Sequence, residues 1–492
     1  MKLFYLGLTA AVVLLCAGCM VGPDYSKPSV PMTAGYKEDQ GWKLARPLDH
    51  IPRGKWWEVF GDPQLNALEE QVSEANQNVK VAEARFRQAR AMIGFFRAGL
   101  FPTVTAGASA NSVRNSTVSP FATSSSGASS GTSSGGASSG RSSSGASTGE
   151  FLLTGDISYE IDLWGRIRRS VTAAREEAQA TAGDLETARL SIQAELAFDY
   201  FELRSADAQQ RLLNDTVKAF DEALQLTIRR FEGGAAPKSD VAQAQTQLET
   251  TQVQATDIAV QRAAFEHAIA TLIGKPPADF SLPPAPLDLQ PPDIPAGLPS
   301  ELLERRPDIA AAERRVAEAN EQIGIAKAAY FPTVTLNALL GFESSSLRNF
   351  GGWQSFLWAV GSSVAQTIFD GGRRRATSEA ALASYDATVA SYRQATLDAF
   401  QQVEDNLAAL RILEQETQQQ ARAVLSAQES LQLFTNRYKG GVDNYLQVIT
   451  AQTVALANER NQVDIMRRRM DASVLLVKAL GGGWHVDDLP QF

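Results

Sequence analysis

The chain's 492 residues are 44% hydrophobic and 8% aromatic, material for a sizeable packed core and too apolar for a disordered tail. Its 46 basic and 55 acidic residues leave a formal charge of −9, which argues against nucleic acid as a partner. Cys16 and Cys19 are the only cysteines, and His50, His267 and His485 lie far apart in sequence. The body of the chain therefore has neither a disulfide framework nor a His/Cys metal cluster, and no metal or cofactor is expected.

Lys2, the apolar run from Leu3 to Ala17 and the small residues before Cys19 describe a secretory signal over residues 1–18, too short for a comfortable transmembrane helix. Cys16-Ala17-Gly18-Cys19 resembles a bacterial lipobox with Cys16 in place of the usual Leu, which predicts a covalent lipid on Cys19 and a lipidated N-terminal segment over residues 19–61. In lipoproteins with such a box, Met20 rather than Asp implies sorting to the outer membrane. A redox or zinc Cys-x-x-C is the weaker reading, because the pair ends an apolar leader and no second pair follows. No later run of eighteen apolar residues exists, so any spanning part must be β.

The remaining chain repeats itself. Phe101-Pro102-Thr103-Val104-Thr105 recurs as Phe331-Pro332-Thr333-Val334-Thr335, an offset of 230 shared by Glu83 and Glu313 and by Gly94 and Gly324. Arg230-Phe231-Glu232-Gly233-Gly234 matches Arg437-Tyr438-Lys439-Gly440-Gly441 at an offset of 207. Repeat 1 is placed at residues 62–274 and repeat 2 at 300–481. The 230 − 207 = 23 extra residues of the first fall in a Ser/Gly-rich loop at 112–149. A Pro-rich strap over 275–299 joins the repeats, and 482–492 form a C-terminal tail.

Period-two alternation predicts two strands in each repeat, at about 101–111 and 150–163 and at about 331–343 and 353–369. In the second strand Phe151, Leu153, Ile157, Tyr159 and Ile161 alternate with Thr154, Asp156, Ser158 and Glu160. Their length, with one apolar and one polar face, suits tilted transmembrane β-strands; hairpins in a soluble sheet would alternate likewise. Four strands cannot close a barrel, and an open edge in lipid leaves backbone groups unpaired at several kcal/mol each. Two copies would give eight strands with a filled interior and three would give twelve with a lumen, so a conducting pore favours at least a trimer.

Long helices fill the rest. Arg166 to Arg230 contains no proline, and Leu185, Ile192, Leu196, Leu203, Leu213 and Leu224 fall largely at helical steps. Roughly 65 residues would reach about 100 Å. Gly372 to Tyr438 repeats that length. Helices near Leu65 to Gly99, Ser239 to Ile273, Glu301 to Ala329 and Tyr445 to Leu480 are about half as long, so a stacked pair matches one long helix. Frequent Ala and Gln permit close packing around a hydrated centre; a solid coiled-coil stalk would show the same periodicity.

Five motifs carry a resemblance: Cys19-Met20-Val21-Gly22-Pro23-Asp24-Tyr25; Trp56-Trp57-Glu58-Val59-Phe60-Gly61-Asp62-Pro63-Gln64-Leu65; Asp162-Leu163-Trp164-Gly165-Arg166; Arg305-Arg306-Pro307-Asp308-Ile309 with Ala312-Glu313; and Arg437-Tyr438 through Gly441-Val442-Asp443-Asn444-Tyr445-Leu446. In this order, over nearly all of residues 19–483, they resemble the outer membrane efflux proteins of the TolC-like and OprM-like type. The resemblance implies an α+β membrane protein: a homotrimer with a 12-stranded outer-membrane β-barrel, four strands per chain, continued by a long periplasmic α-helical barrel. It further implies the exit duct of a tripartite pump in a Gram-negative bacterium. The partners would be a periplasmic membrane fusion adaptor, an inner-membrane RND-type transporter and outer-membrane lipid.

With strands entering from the periplasm, the Gly233-Gly234 and Gly440-Gly441 turns lie at the periplasmic tip and are candidate adaptor-docking turns. Their glycines also supply the positive φ of a tight helix connection, an equally good reason for them. Asp443, Tyr445 and Leu446 are the candidate gate, although Asp443 also suits a helix N-cap. Thr450 stands where many relatives have Asp, so no acidic ring is expected there. Arg166, Arg168 and Arg169, and Arg373, Arg374 and Arg375, open the long helices, where the helix dipole disfavours cations. They are expected at the membrane boundary, facing headgroups or acidic residues of the duct, or as solvated charge. Catalysis is not expected: Gly127-Ala128-Ser129-Ser130-Gly131 matches a nucleophile elbow only within low-complexity sequence. A surface-anchored structural or adhesive lipoprotein with a helical stalk is the competing function.

Overall fold

Helix α1 (Pro63–Ala75) starts where Asp62 accepts hydrogen bonds from the N–H groups of Gln64 and Leu65 and proline occupies the first helical position. The computed structural model describes residues 20–31, 33, 35–38, 55–114, 147–285, 290–292, 294 and 302–492. The signal, Cys19, loop residues 115–146 and part of the strap lie outside the described residues. Asn76 caps α2 (Gln77–Ala98) by accepting from Asn78 and Val79. The order continues with β1 (Thr103–Arg114), β2 (Ser147–Ile161), α3 (Arg166–Glu232), α4 (Lys238–Leu272), α5 (Pro307–Ala328), β3 (Thr333–Ser344), β4 (Phe356–Ala365), α6 (Arg373–Lys439) and α7 (Tyr445–Ala479). Helices α2 and α5 have 22 residues each, α3 and α6 have 67, and α4 and α7 have 35, so each half carries the same series of lengths. Among the described residues no helix is long and apolar enough to cross a membrane.

The chain divides into two units. The first takes the described residues of Met1–Tyr25, Met92–Ala174 and Ala319–Ser384, and the second those of Ser26–Ala91, Arg175–Glu318 and Tyr385–Phe492.

The first unit contains one antiparallel sheet in the order β1-β2-β3-β4. Its register aligns Val104 with Ile157, Ile157 with Ala338 and Ala338 with Val360. Because paired residues share a face and side chains alternate, that face also carries Ala106, Ala108, Leu153, Tyr159, Leu336, Leu340, Trp358 and Val364. The opposite face carries Thr103, Thr105, Thr154, Asp156, Ser158, Glu160, Asn337 and Ser363. With Ser112, Ser344 and Ser362 also on it, that side of the sheet is predominantly apolar across all four strands. The fourth strand is shorter than its alternation predicts, because Trp353–Ser355 turn as a 3₁₀ segment before it and pairing ends at Ala365.

Close helix contact and small clusters hold the second unit together. A Cβ on Gly183 would lie 2.8 Å from the Pro307 carbonyl oxygen and 3.0 Å from Ala311 Cβ, so only glycine permits that approach. Leu213 and Ala206 of α3 cluster with Ile258 and Leu456, and further along Phe220 and Leu224 pack with Leu248, Tyr438, Tyr445 and Val448. The described part of the proline strap is packed as well as extended. Arg262 donates to the Leu282 carbonyl (2.6 Å), Arg204 to that of Pro283 (2.9 Å), and Asp207 accepts from the Ala285 N–H (3.0 Å).

Candidate functional site

The long helices end in the same backbone closure. At α3, Gly234 N–H donates to the Phe231 carbonyl (2.9 Å) and Ala235 N–H to that of Arg230 (2.7 Å). At α6, Gly441 N–H donates to Tyr438 (3.0 Å) and Val442 N–H to Arg437 (3.0 Å). Each is a Schellman closure, which satisfies helix carbonyls through a left-handed residue. That residue is the second glycine of each pair, Gly234 at φ 73° and Gly441 at φ 78°; Gly233 and Gly440 do not adopt positive φ. Turn chemistry thus explains Gly234 and Gly441 but leaves Gly233 and Gly440 without a conformational requirement.

The gate candidates separate on inspection. Asp443 does not cap α7, whose N-cap is Asn444; it binds Arg437 through both oxygens, at 2.6 and 3.1 Å. The Arg437 hydrogen bond holds its carboxyl below the ordinary range against a smaller opposing effect of burial. Tyr445 is 2% exposed and packs on Tyr438 with ring centroids 5.2 Å apart, so it belongs to the core of the turn and offers no free surface. Burial pushes its hydroxyl up to about 12. Leu446 is 51% exposed.

A residue not singled out by the sequence joins the two turns. Arg230 donates to the carbonyls of Tyr438 (2.6 Å) and Lys439 (3.0 Å) and lies over the Tyr438 ring at 4.6 Å. It reaches from the end of α3 to the last carbonyls of α6, where a cation is favoured. Its repeated Arg-x₂-Gly-Gly spacing was the available signal, but spacing does not reveal which turn an arginine serves.

At both helix N-termini a carboxylate offsets the dipole that disfavours cations. Arg166 pairs with Glu160 (2.7 Å) and Arg168 with Asp162 (3.3 Å), while Asp162 also accepts from the N–H groups of Ile167 and Arg168. Arg374 pairs with Asp370 (2.7 Å) and sits 5.5 Å from the centre of the Tyr330 ring, and Asp370 accepts from Gly372 and Arg374 N–H. Burial raises the Asp370 pKa, but Arg374 and those N–H groups outweigh it and hold it below the usual carboxylate range. A carboxylate thus occupies each helix N-terminus and the arginines gather around it. Arg169 is not at a surface: it is 1% exposed and paired with Glu321 at 2.8 Å. Arg373 and Arg375 remain exposed, Arg375 beside Glu379 at 2.8 Å.

The shared motifs turn out to be stitches. Trp56 donates to Gln193 (3.2 Å), Trp164 donates to the Pro332 carbonyl (2.7 Å) and stacks on Phe331, and Arg306 donates to the Ala479 carbonyl (2.8 Å) at the end of α7. Among the described residues no group of three His, Cys, Asp or Glu is placed to hold a metal.

A family model described as outer membrane efflux protein matches residues 68–275 and again 298–482. The chain belongs to the outer membrane efflux protein family. It is 32% identical over 492 residues to the toluene efflux pump outer membrane protein TtgF of Pseudomonas putida, covering 98% of each chain. It is 31% identical over 477 residues to the pyoverdine export outer membrane protein OpmQ of Pseudomonas aeruginosa, covering 96% of this chain and 97% of that one. The structure superposes on the outer-membrane channel OprN with a TM-score of 0.84 at 30% identity, covering 95% of this chain and 100% of that one. As a member of this family it is an outer-membrane channel component of an efflux system. The family consists of transport proteins, not enzymes.

Proposed function

We propose that three copies of the chain assemble their sheets into a twelve-stranded outer-membrane barrel, and that the helices form the periplasmic duct through which cargo from an adaptor and an RND-type transporter leaves the cell. The observation that carries this reading is a four-stranded sheet with one predominantly apolar face and with β1 and β4 unpaired on their outer edges within one chain. In lipid those edges demand partners, and other copies of the same sheet supply them. A covalent lipid on Cys19, after removal of residues 1–18, adds an anchor to the membrane. The exposed Arg373 and Arg375 meet headgroups, and the glycine turns with Leu446 form the docking and gating end. Relatives of nearly equal identity are named for toluene and for pyoverdine, which fits a duct that does not itself select cargo.

The test is the mass of the detergent-solubilised protein together with export by a strain that lacks its own channel and carries this chain with its adaptor and pump. A trimer mass and restored export are expected, and a bulky replacement of Gly440 is expected to keep the trimer and stop export. A monomeric protein that restores nothing identifies a stalk-like lipoprotein instead.

A further inference from the structure

In the first unit, the residues that follow Cys19 occupy a built receptacle. Val21 N–H donates to the Trp164 carbonyl (3.1 Å), and the Pro23 carbonyl accepts from Arg169 Nη2 (3.2 Å) and from Asn320 Nδ2 (3.2 Å). Arg169 is held in turn by Glu321 at 2.8 Å, with Arg169 on α3 and Glu321 on α5. The fit is close. Gly22 has φ 122°, and a Cβ there would stand 2.6 Å from Gly324 Cα; a Cβ on Gly324 would stand 2.3 Å from Arg169 Cδ; a Cβ on Gly165 would stand 2.7 Å from Met20 Cγ. A buried charge is costly unless paired and fully hydrogen-bonded, so a role in helix packing alone does not account for Arg169 being aimed at a backbone carbonyl of another segment.

The sequence adds a second, independent observation. At the offsets that relate the repeats, Arg169 corresponds to Ala376, Asn320 to Arg90 and Glu321 to Ala91, while Gly165 and Gly324 keep their glycines as Gly372 and Gly94. The polar groups of the receptacle exist once per chain, as does the N-terminus that fills it.

We infer that Arg169, Glu321 and Asn320 form a latch for the segment Met20–Pro23, so that the lipidated N-terminus is fixed by protein contacts beside Trp164 and the end of β2 rather than tethered loosely. The latch rests on the proposed lipoprotein only for its purpose; the seat itself stands on the geometry. Arg169 acts here as a positioning residue.

Hydrogen exchange of the full-length protein in detergent, read at Val21, tests it. The wild type is expected to protect this amide, and Gly22→Ala to speed its exchange by about tenfold or more while amides of the β2–β3 ladder stay protected. Asn320→Ala, which leaves the Arg169–Glu321 pair intact, is expected to act in the same direction, and Arg169→Met more strongly if it folds. A wild-type Val21 amide as fast as an unstructured one, or one indifferent to Gly22→Ala, overturns the latch. The mass of the N-terminal peptide is read in the same samples. Absence of the acyl mass with Val21 protected removes the lipid and leaves the latch, whereas an acylated chain with Val21 unprotected removes the latch alone.

Discussion

Replacing Val360 by Arg places a cation at the centre of the apolar sheet face. Val360 is the fifth of ten residues in β4, is 74% exposed in the single chain, and lies level with Ala338, Ile157 and Val104 across the other strands. An arginine on the lipid face near the bilayer midplane costs about 2–4 kcal/mol, and in a three-chain barrel each copy bears it. Gly361 is the matched control. It is the next residue, it pairs with Asn337 on the polar face, and a Cβ there meets no atom within 4 Å. Gly361→Arg is therefore expected to change stability by less than about 1 kcal/mol. The assay is denaturant titration of protein folded into phospholipid vesicles, comparing both variants with wild type. Equal destabilisation by the two variants, or a larger effect at Gly361, would refute the assignment of the lipid face and with it the orientation of every strand.

At the turns, Gly441→Ala forces a side chain into left-handed backbone and is expected to cost about 1–2 kcal/mol, whereas Gly440→Ala meets only carbonyl oxygens at 3.5 Å and is expected to be near neutral; thermal unfolding of both variants checks the difference. Arg230→Ala removes the bonds to Tyr438 and Lys439, so the two turns are expected to separate more readily, seen as raised conductance of the protein in a planar bilayer with the mass of the assembly unchanged. Glu69 is 0% exposed, neither of its oxygens has a hydrogen-bond partner among the described residues, and burial raises its pKa well above the usual carboxylate range. The folded state thus retains a proton that the unfolded chain loses above its ordinary value of 4.5, so this group's contribution falls as pH rises, by at most about 1.4 kcal/mol per pH unit. Glu69→Gln is expected to raise the melting temperature at pH 8 and to match wild type near pH 4; parallel melting curves across that range would exclude the mechanism.

Element type was legible because the apolar period changes sharply, from two in Phe151–Ile161 to helical steps after Arg166. The duplication made each half a check on the other. Face assignment was legible in part: alternation sorts residues within one strand, but the register that brings Val104, Ile157, Ala338 and Val360 to one level is a property of pairing and has no local signal. The partners of the arginine clusters had no local signal either. Helix-dipole reasoning treats Arg166 and Arg168 as exposed to the positive end of α3, yet Asp162 lies between that end and the cations and satisfies both. Tyr445 follows a turn and looked available, but Tyr438 and Val448 cover it through long-range packing.

The two turns show how a duplicated sequence acquires unlike halves without changing its backbone. Arg230 and Arg437 occupy the same place relative to the same closure, so local geometry gives them the same reach. Among the differences between the two turns, Glu232 stands where the second half has Lys439, and six positions on from the arginine stand Ala236 in the first half and Asp443 in the second. The carboxylate captures Arg437 within its own turn, an interaction of charged groups that a neutral carbonyl does not match. With alanine in that place, Arg230 binds instead the terminal carbonyls of α6. The turn that carries Asp443 is thus closed on itself, and the turn that carries Ala236 is cross-linked to the other. Arg169 and Ala376 differ likewise at the other end of the long helices: Arg169 meets the N-terminal segment at Pro23, and its counterpart Ala376 carries no charge.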